Sequence, residues 1–350
     1  MIILCTRLHL SGLSRMSISI KDISQLSGVS TATVSRVINN LGTVSPKTQA
    51  HVKEVIARYG YVPNMVAKGL RTNLMSSVGI IVPEIVNEPY GLLVRTAQQQ
   101  LLKLGIISTI CNTNDNPETA MQYINILKSQ YASGVIYIPD SRYGSVRLWD
   151  LPVVYIENRP SHTIAANSAI VVSDDRRGGY IATKELLEKG CRNIIIYMDL
   201  LGRYSFTNRY LGYCDALKEY GLKPSVENTI YVEPLHSTDV IQKTQELIRQ
   251  GHAFDGAFCT ANRITTGAMS ALASAGRIHT DGLRENDVKL VGYEDIRLSN
   301  YGLFPVTTVA IETEEMAITA VDLMVAMLEG KPPVKQEVVF PVHLIHRNTT

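Results

Sequence analysis

The feature that most restricts the fold is a change of rhythm at Ser77. Beyond it, apolar runs of four to six residues alternate with longer amphipathic stretches. SVGIIV, IISTIC, GVIYI and VVYI read as buried strands, with helices predicted near residues 90–104 and 117–132 between them. A second set follows, NIIIYM, TIYV, DGAFC and VKLVGY, separated by helices near residues 177–189, 207–220, 240–249 and 264–275. A strand that is apolar on both faces needs cover on both, so each set predicts a parallel, Rossmann-like α/β sheet flanked by helices. A chain of 350 residues with 45% hydrophobic side chains accommodates two such units and a smaller domain.

The smaller domain precedes the change. In SIKDISQL, Ser19 and Asp22 are placed as a helix N-cap and its reciprocal acid, with Ile20, Ile23 and Leu26 on one side. Gly28 supplies a tight turn, and Ser30 caps a second helix, TATVSRVINN, whose Val34, Val37 and Ile38 recur at helical spacing. Its other side carries Thr31, Ala32, Ser35, Arg36 and Asn39, which are short or hydrogen-bonding and suit the edges of bases in a major groove. A third helix is marked by Ser45 as cap and Pro46 in its first turn, runs through Val52, Val55 and Ile56, and stops at Gly60. The result is an all-α, three-helix head of helix-turn-helix type. By periodicity alone a generic three-helix bundle fits equally.

Charge separates the head from the body. Residues 16–75 carry seven bases against two acids, whereas residues 76–350 carry 25 bases against 30 acids. A basic head on an acidic body implies that only the head meets a polyanion, although a solvated basic face would look the same by charge.

Several classes are disfavoured. Cys5, Cys111, Cys191, Cys214 and Cys259 stand far apart with no CxxC pair, so neither a zinc framework nor a disulfide scaffold is indicated, and a reducing cytoplasm fits. Residues 1–15 hold a short apolar run without a basic segment before it or a cleavage site after it, and read as a disordered extension or an upstream start rather than a secretory signal. No run of 18 apolar residues suggests a membrane span. GxGxxG, Walker A, GxSxG and HExxH strings are absent, so no cofactor is expected and an enzyme using Asp174, Asp175 or Glu294 as acid or base lacks a supporting motif. His343 and His346, three apart on the final apolar segment, would face opposite sides of a strand, a poor arrangement for a metal.

The wording of the head is more specific than its periodicity. IKDISQLSGVSTATVSRVINN, followed by VSPKTQAHVKEVIARYGYVPNMVAKGLRT, closely resembles the lactose-repressor (LacI/GalR) family of transcriptional regulators. The resemblance implies that Thr31, Ala32 and Arg36 enter the major groove, with Ser19, Ser35, Asn39, Thr43, Ser45, Thr48, Tyr61 and Asn64 near the DNA backbone. It further implies that residues 63–76, including Ala67, form a hinge helix and linker in which Leu70 wedges into the minor groove; packing of Leu70 on the body is the alternative. A segment so short does not hold a helix by itself in water, so its folding is expected to accompany DNA binding, and Gly69 adds about 1 kcal/mol of helix cost. Ser24 and Ser27 stand where the family often has Ala, a change expected to leave the fold intact.

The resemblance runs from Ser17 to about Arg347, through IVPEIVNEPYG, CNTNDNP, DDRRGGYIAT, NRYLGY, GAFCTAN, LVGYEDI and PVTTV. It implies a body of two lobes, residues 77–350, like periplasmic sugar-binding proteins, and a head at 16–62. Carried over position by position, Ser205, Arg209, Asn262 and Glu294 would contact a small effector, and Pro83, Asn87, Tyr90, Ile156, Thr313 and Met316 would line its pocket. A guanidinium, an amide and a carboxylate together suit a polyhydroxylated ligand such as a sugar. Two structural alternatives stay open: Arg209 and Glu294 could simply pair across the interlobe seam, and Asn262 could be a turn residue or helix cap. Arg263 stands where the family commonly has Asp, Glu294 replaces the usual Asp, and Trp149 is not where sugar-binding members place a stacking aromatic, a region reading VEPLHSTD here. These departures leave the sugar open. The implied protein is a homodimeric repressor on a pseudo-palindromic operator, without the trailing leucine heptads that build a coiled-coil tetramer. A regulator governed by a protein partner or by no effector is the nearest rival, and a solute-binding protein a distant one.

Overall fold

The computed structural model describes residues 18–39, 41–61, 77–139, 151–160, 164–199, 203–233, 237–279, 282–295, 305–333 and 335–350. Residues 1–15, the hinge expected at 63–76 and Trp149 lie outside these. The chain divides into two compact units, 1–75 and 76–350.

The first unit is three helices, α1 (Ile20–Ser27), α2 (Thr31–Asn39) and α3 (Pro46–Tyr59). Each starts and stops for a local reason. Ser19 caps α1 in a reciprocal box with Asp22, and Gly28 closes it with a left-handed φ of 65°. Ser30 accepts the Thr33 N–H at 3.1 Å, and Ser45 the Thr48 N–H at 3.2 Å with Pro46 behind it. Ile23, Val34, Val37, Val52 and Val55 form the core. Leu26 departs from the expected apolar side: it is 45% exposed, and Ser27 takes the buried place. A hydroxyl is tolerated there because Ser27 donates back to the Ile23 carbonyl at 2.5 Å, while Ser24 donates to the Val29 carbonyl at 2.6 Å.

The second unit has two six-stranded sheets. The first orders β11-β5-β4-β3-β1-β2 and the second β12-β10-β9-β8-β6-β7. The strands are β1 (Ser77–Val82), β2 (Ile107–Asn112), β3 (Gly134–Tyr137), β4 (Val153–Ile156), β5 (Ser168–Ser173), β6 (Ile194–Asp199), β7 (Thr229–Val232), β8 (Gly256–Cys259), β9 (Lys289–Tyr293), β10 (Thr307–Ile311), β11 (Glu337–Phe340) and β12 (Val342–Ile345). All pairings are parallel except β10 with β12, so the second sheet carries an antiparallel edge that the apolar runs did not announce. Between them lie α4 (Glu88–Lys103), α5 (Pro117–Ser129), α6 (Asp175–Glu188), α7 (Tyr204–Glu219), α8 (Ser237–Arg249), α9 (Asn262–Ser274) and α10 (Thr313–Leu328).

The chain changes lobe three times. After β5 of the first lobe, α6 buries Ala182, Leu186 and Leu187 in the core of the second. After β10 of the second lobe, α10 returns Met316, Ala317, Ala320, Val321 and Met324 to the core of the first. The third crossing is the step from β11 to β12 through Pro341. Each lobe therefore owes part of its core to a helix delivered from the other.

Candidate functional site

On the head, Thr31, Ala32 and Arg36 are exposed on α2, opposite the buried Val34 and Val37. Ser35 is half-buried, Thr43 is exposed on the loop before α3, and Thr48 is half-buried in its first turn. Ser19 and Ser45 open α1 and α3, and their hydroxyls are already engaged, Ser19 with Asp22 at 2.7 Å and Ser45 with Thr48 at 2.8 Å. Tyr61 packs partly against the head core, and burial raises its phenol. Asn39 ends α2. Its side chain, like Asn64, Ala67 and Leu70, lies outside the described residues. The arrangement is a helix-turn-helix: α1 and α3 brace α2, and two helix N-termini, which favour phosphate, stand beside it in sequence.

In the second unit, a polar constellation forms where strand ends of both lobes meet. Its centre is Arg209 on α7, only 1% exposed. The guanidinium donates from Nε to Asp175 at 2.8 Å and from Nη1 to the Thr260 carbonyl at 2.6 Å, lies 3.5 Å from Glu294, and stacks 3.8 Å above the Tyr293 ring. Burial works against its charge, but Asp175, Tyr293 and Glu294 together hold it as a cation. Asp175 is further held by donation from Ser173 and from the Tyr293 hydroxyl, each at 3.3 Å.

Three glycines make this possible. A Cβ on Gly178 would lie 2.2 Å from the Tyr293 hydroxyl oxygen, and one on Gly179 would lie 1.9 Å from the Arg209 carbonyl. On the facing helix a Gly212 Cβ would lie 2.0 Å from the Arg176 carbonyl. The sequence DDRRGGY thus lets α6 and α7 touch backbone to backbone, which sets Arg209 at its depth.

The two lobes present matching carboxyls. Glu157 directly follows β4 and Glu294 directly follows β9, the same position in each sheet. Both adopt a left-handed φ of 69°, and each backbone N–H donates at 2.9 Å to the next strand, Glu157 to Val171 and Glu294 to Val309. Both are buried. A left-handed bend in a non-glycine residue carries strain that surrounding structure must hold. Burial and the facing Glu294 push Glu157 up to about 8, Arg209 opposing; burial likewise raises Glu294.

Among the described residues, two hydrogen-bonded or ion-paired contacts cross between lobes, beside Arg159 stacked 4.6 Å over the Tyr204 ring. Asn262, the first residue of α9, donates from Nδ2 to Oδ1 of Asn87 at 2.8 Å, and its backbone N–H faces Glu294 at 3.5 Å. Arg203 pairs with Asp115, and with Asp199 at 3.5 Å. Of the two open alternatives, Arg209 and Glu294 do meet, but inside the second lobe, with Asp175 the nearer partner. Asn262 caps nothing with its side chain; Ala261 occupies the cap position and Asn262 reaches the other lobe.

The remaining expected residues divide in two. Pro83, Asn87, Tyr90, Ser205 and Thr313 are buried at strand or helix ends, Asn87 meeting Asn262 and the Pro83 carbonyl accepting the Asp115 N–H at 3.2 Å. Ile156 and Met316 are fully buried in the first lobe's core. Glu157, Asp115, Asp199 and Arg203 join this constellation but are not among the residues expected from the sequence. A signal was present in VVYIEN, a charged residue immediately after an apolar run, at the strand end outside which ligands of open α/β sheets bind. His343 and His346 face separate carboxylates, Glu312 at 3.3 Å and Glu185 at 3.2 Å, and no cluster of three His, Cys, Asp or Glu fit for a metal occurs among the described residues. Nor is any helix among them long and apolar enough to cross a membrane.

A helix-turn-helix head with a two-lobed α/β body defines a DNA-binding transcriptional regulator. Residues 19–64 match the model of bacterial regulatory proteins of the lacI family, and residues 183–350 that of the periplasmic binding protein-like domain. The HTH-type transcriptional regulator RegA of Clostridium saccharobutylicum is 30% identical over 96% of this chain and 100% of its own length. A ribose operon repressor of Halalkalibacterium halodurans is 27% identical over 95% of this chain and 97% of its own. The structure of a Lac repressor dimer bound to operator and the anti-inducer ONPF superposes with a TM-score of 0.78 at 22% identity, over 95% of this chain and 98% of that one. The chain belongs to the lacI family.

Proposed function

We infer that this protein is a cytoplasmic repressor that binds a pseudo-palindromic operator as a homodimer and is governed by a small polyhydroxylated effector in the interlobe cleft. The observation that carries the effector half is the buried set Arg209, Asn262 and Glu294 at the strand ends, with Asn262 bridging to Asn87 of the other lobe. A ligand with many hydroxyls satisfies a guanidinium, an amide and a carboxylate at once. The repressor of a ribose operon among the relatives supports a sugar. The DNA half rests on the exposed Thr31, Ala32 and Arg36 of α2, with residues 63–76, including Asn64, Ala67 and Leu70, forming the hinge on the operator. Effector binding changes lobe closure and thereby operator affinity, with a coupling of roughly 1–3 kcal/mol.

The test is selection of an operator from random DNA with protein started at Met16, then rebinding in the presence of sugars, sugar phosphates and nucleobases. A palindrome with a flexible central step and an affinity change of about tenfold or more with one compound are the expected results. A palindrome with no ligand effect removes the sensor and leaves the repressor; no selected sequence removes both.

A further inference from the structure

A second cavity lies at the far side of the second lobe from the cleft. It stands before β6 and β8, at the opposite ends of these strands from Asp199 and Thr260, and measures about 450 Å³, within the usual range for a small-molecule site. Its lining comes from Asn193 before β6, from residues 251–255 after α8 and from Arg277 after α9.

The polar side chains around it are held in place. Asn193 donates from Nδ2 to the Ala253 carbonyl, which can only accept. Asn193 Oδ1 therefore accepts from Asn228 Nδ2 at 2.6 Å, and Asn228 Oδ1 accepts from His252 Nε2 at 2.9 Å. This chain settles the imidazole: Nε2 carries the hydrogen, and Nδ1, with no partner among the described residues, is a bare acceptor. The His252 ring leans on buried Phe254 with centroids 6.3 Å apart, and the Arg277 guanidinium lies 5.2 Å from the same ring. Arg277 donates from Nη2 to the Phe254 carbonyl at 3.0 Å and pairs with no carboxylate among the described residues, so the rest of its fork stays open. Asp255 does not fill it, because its oxygens accept the backbone N–H groups of Arg192 at 2.8 Å and Asn193 at 2.9 Å. The backbone N–H groups of Ala253 and Phe254 likewise make no hydrogen bond among the described residues.

A fixed cation and N–H donors thus border the cavity with one acceptor among them. A carboxylate or sulfate answers the donors but meets the Nδ1 lone pair with lone pairs of its own. A monoprotonated phosphate answers both, its bare oxygens taking the guanidinium and its O–H donating to Nδ1. We propose that this cavity binds a phosphate group, free or borne on a small metabolite, as a second ligand site of the body. Arg277 anchors the group, His252 tells it from sulfate, and Phe254 holds both side chains. The site stands whether or not the cleft takes an effector.

The experiment is isothermal titration of the full chain, near neutral pH in a buffer without phosphate, with inorganic phosphate, glycerol phosphate, sulfate and acetate. Thermal melts without ligand check that each variant folds. The expected result is that inorganic phosphate or glycerol phosphate binds at least about tenfold more tightly than sulfate and acetate. Arg277→Gln abolishes this binding, and His252→Phe, which keeps a ring against Phe254, brings phosphate down to the level of sulfate. Tighter binding of inorganic phosphate identifies the free ion, and tighter binding of glycerol phosphate a phosphorylated metabolite. If Arg277→Gln does not fold, the ratio of phosphate to sulfate in His252→Phe decides alone. Equal binding of phosphate and sulfate by the parent, no binding of either phosphate compound, or binding that neither variant alters overturns the proposal.

Discussion

Gly179 and Arg209 meet back to back where α6 crosses α7, with room for a hydrogen but not a methyl group between the glycine and the arginine carbonyl. Overpacking against backbone cannot be relieved by a rotamer change. Gly179→Ala is therefore expected to separate the two helices, lower stability by about 1–3 kcal/mol and lift Arg209 off Asp175. Urea denaturation should show a lower midpoint at unchanged slope. An unshifted midpoint would mean that the helix contact is looser than described.

Arg209→Met should be severe for another reason. It leaves Asp175 and Glu294 buried without their cation, a loss of about 3–5 kcal/mol. Adding Asp175→Asn to that variant should restore a large part of the stability. A double variant no better than the single would show that the arginine acts through packing on Tyr293 rather than through charge.

Glu157 ties stability to pH. Its carboxyl is raised in the folded protein from the ordinary 4.5 to about 8, so the fold binds a proton that the unfolded chain gives up. Stability is then full below about pH 4.5 and falls as pH rises towards about 8. Glu157→Gln keeps the shape without the titration, and its thermal midpoint should gain on the parent progressively between those limits. Parallel curves for the two proteins would refute this.

Ser45→Ala removes the side-chain acceptor for the Thr48 N–H at the start of α3. Loss of such a cap costs about 1 kcal/mol, to be read from thermal melts of the protein without DNA. Ser45→Asp, which can still cap, should melt close to the parent.

Arg36→Ala should weaken operator binding by about 1–3 kcal/mol and relax preference at one base pair if, as proposed, the exposed Arg36 of α2 reads a base edge. Uniform weakening across all sequences, with a shallower salt dependence, would assign Arg36 to phosphate instead.

How far these features could be read in advance depended on their range. The head was legible because its signals are local: Ser19, Gly28, Ser45 and Gly60 each act within four residues, and the buried valines follow one helical period. Leu26 misled because an apolar side is inferred from spacing, while Ser27 satisfies its own hydroxyl and takes the core position. Most strands of the body announced themselves as apolar runs. AIVV of β5 is such a run as well and was passed over. The destination of α6 and α10 was not legible, because an amphipathic helix says that it will be covered but not by which sheet. Glu294 was reached through resemblance and Glu157 was passed over, although both sit at the same place in their sheets. Only the fold turns one towards the other.

The exchange of helices between lobes has a consequence for dissection. A fragment ending after β10 would lack α10, and the first lobe would lose the cover of Met316, Val321 and Met324 although its first five strands were all present. A fragment beginning at β6 would strip the second lobe of Ala182, Leu186 and Leu187 in the same way. No single cut of the chain releases a whole lobe.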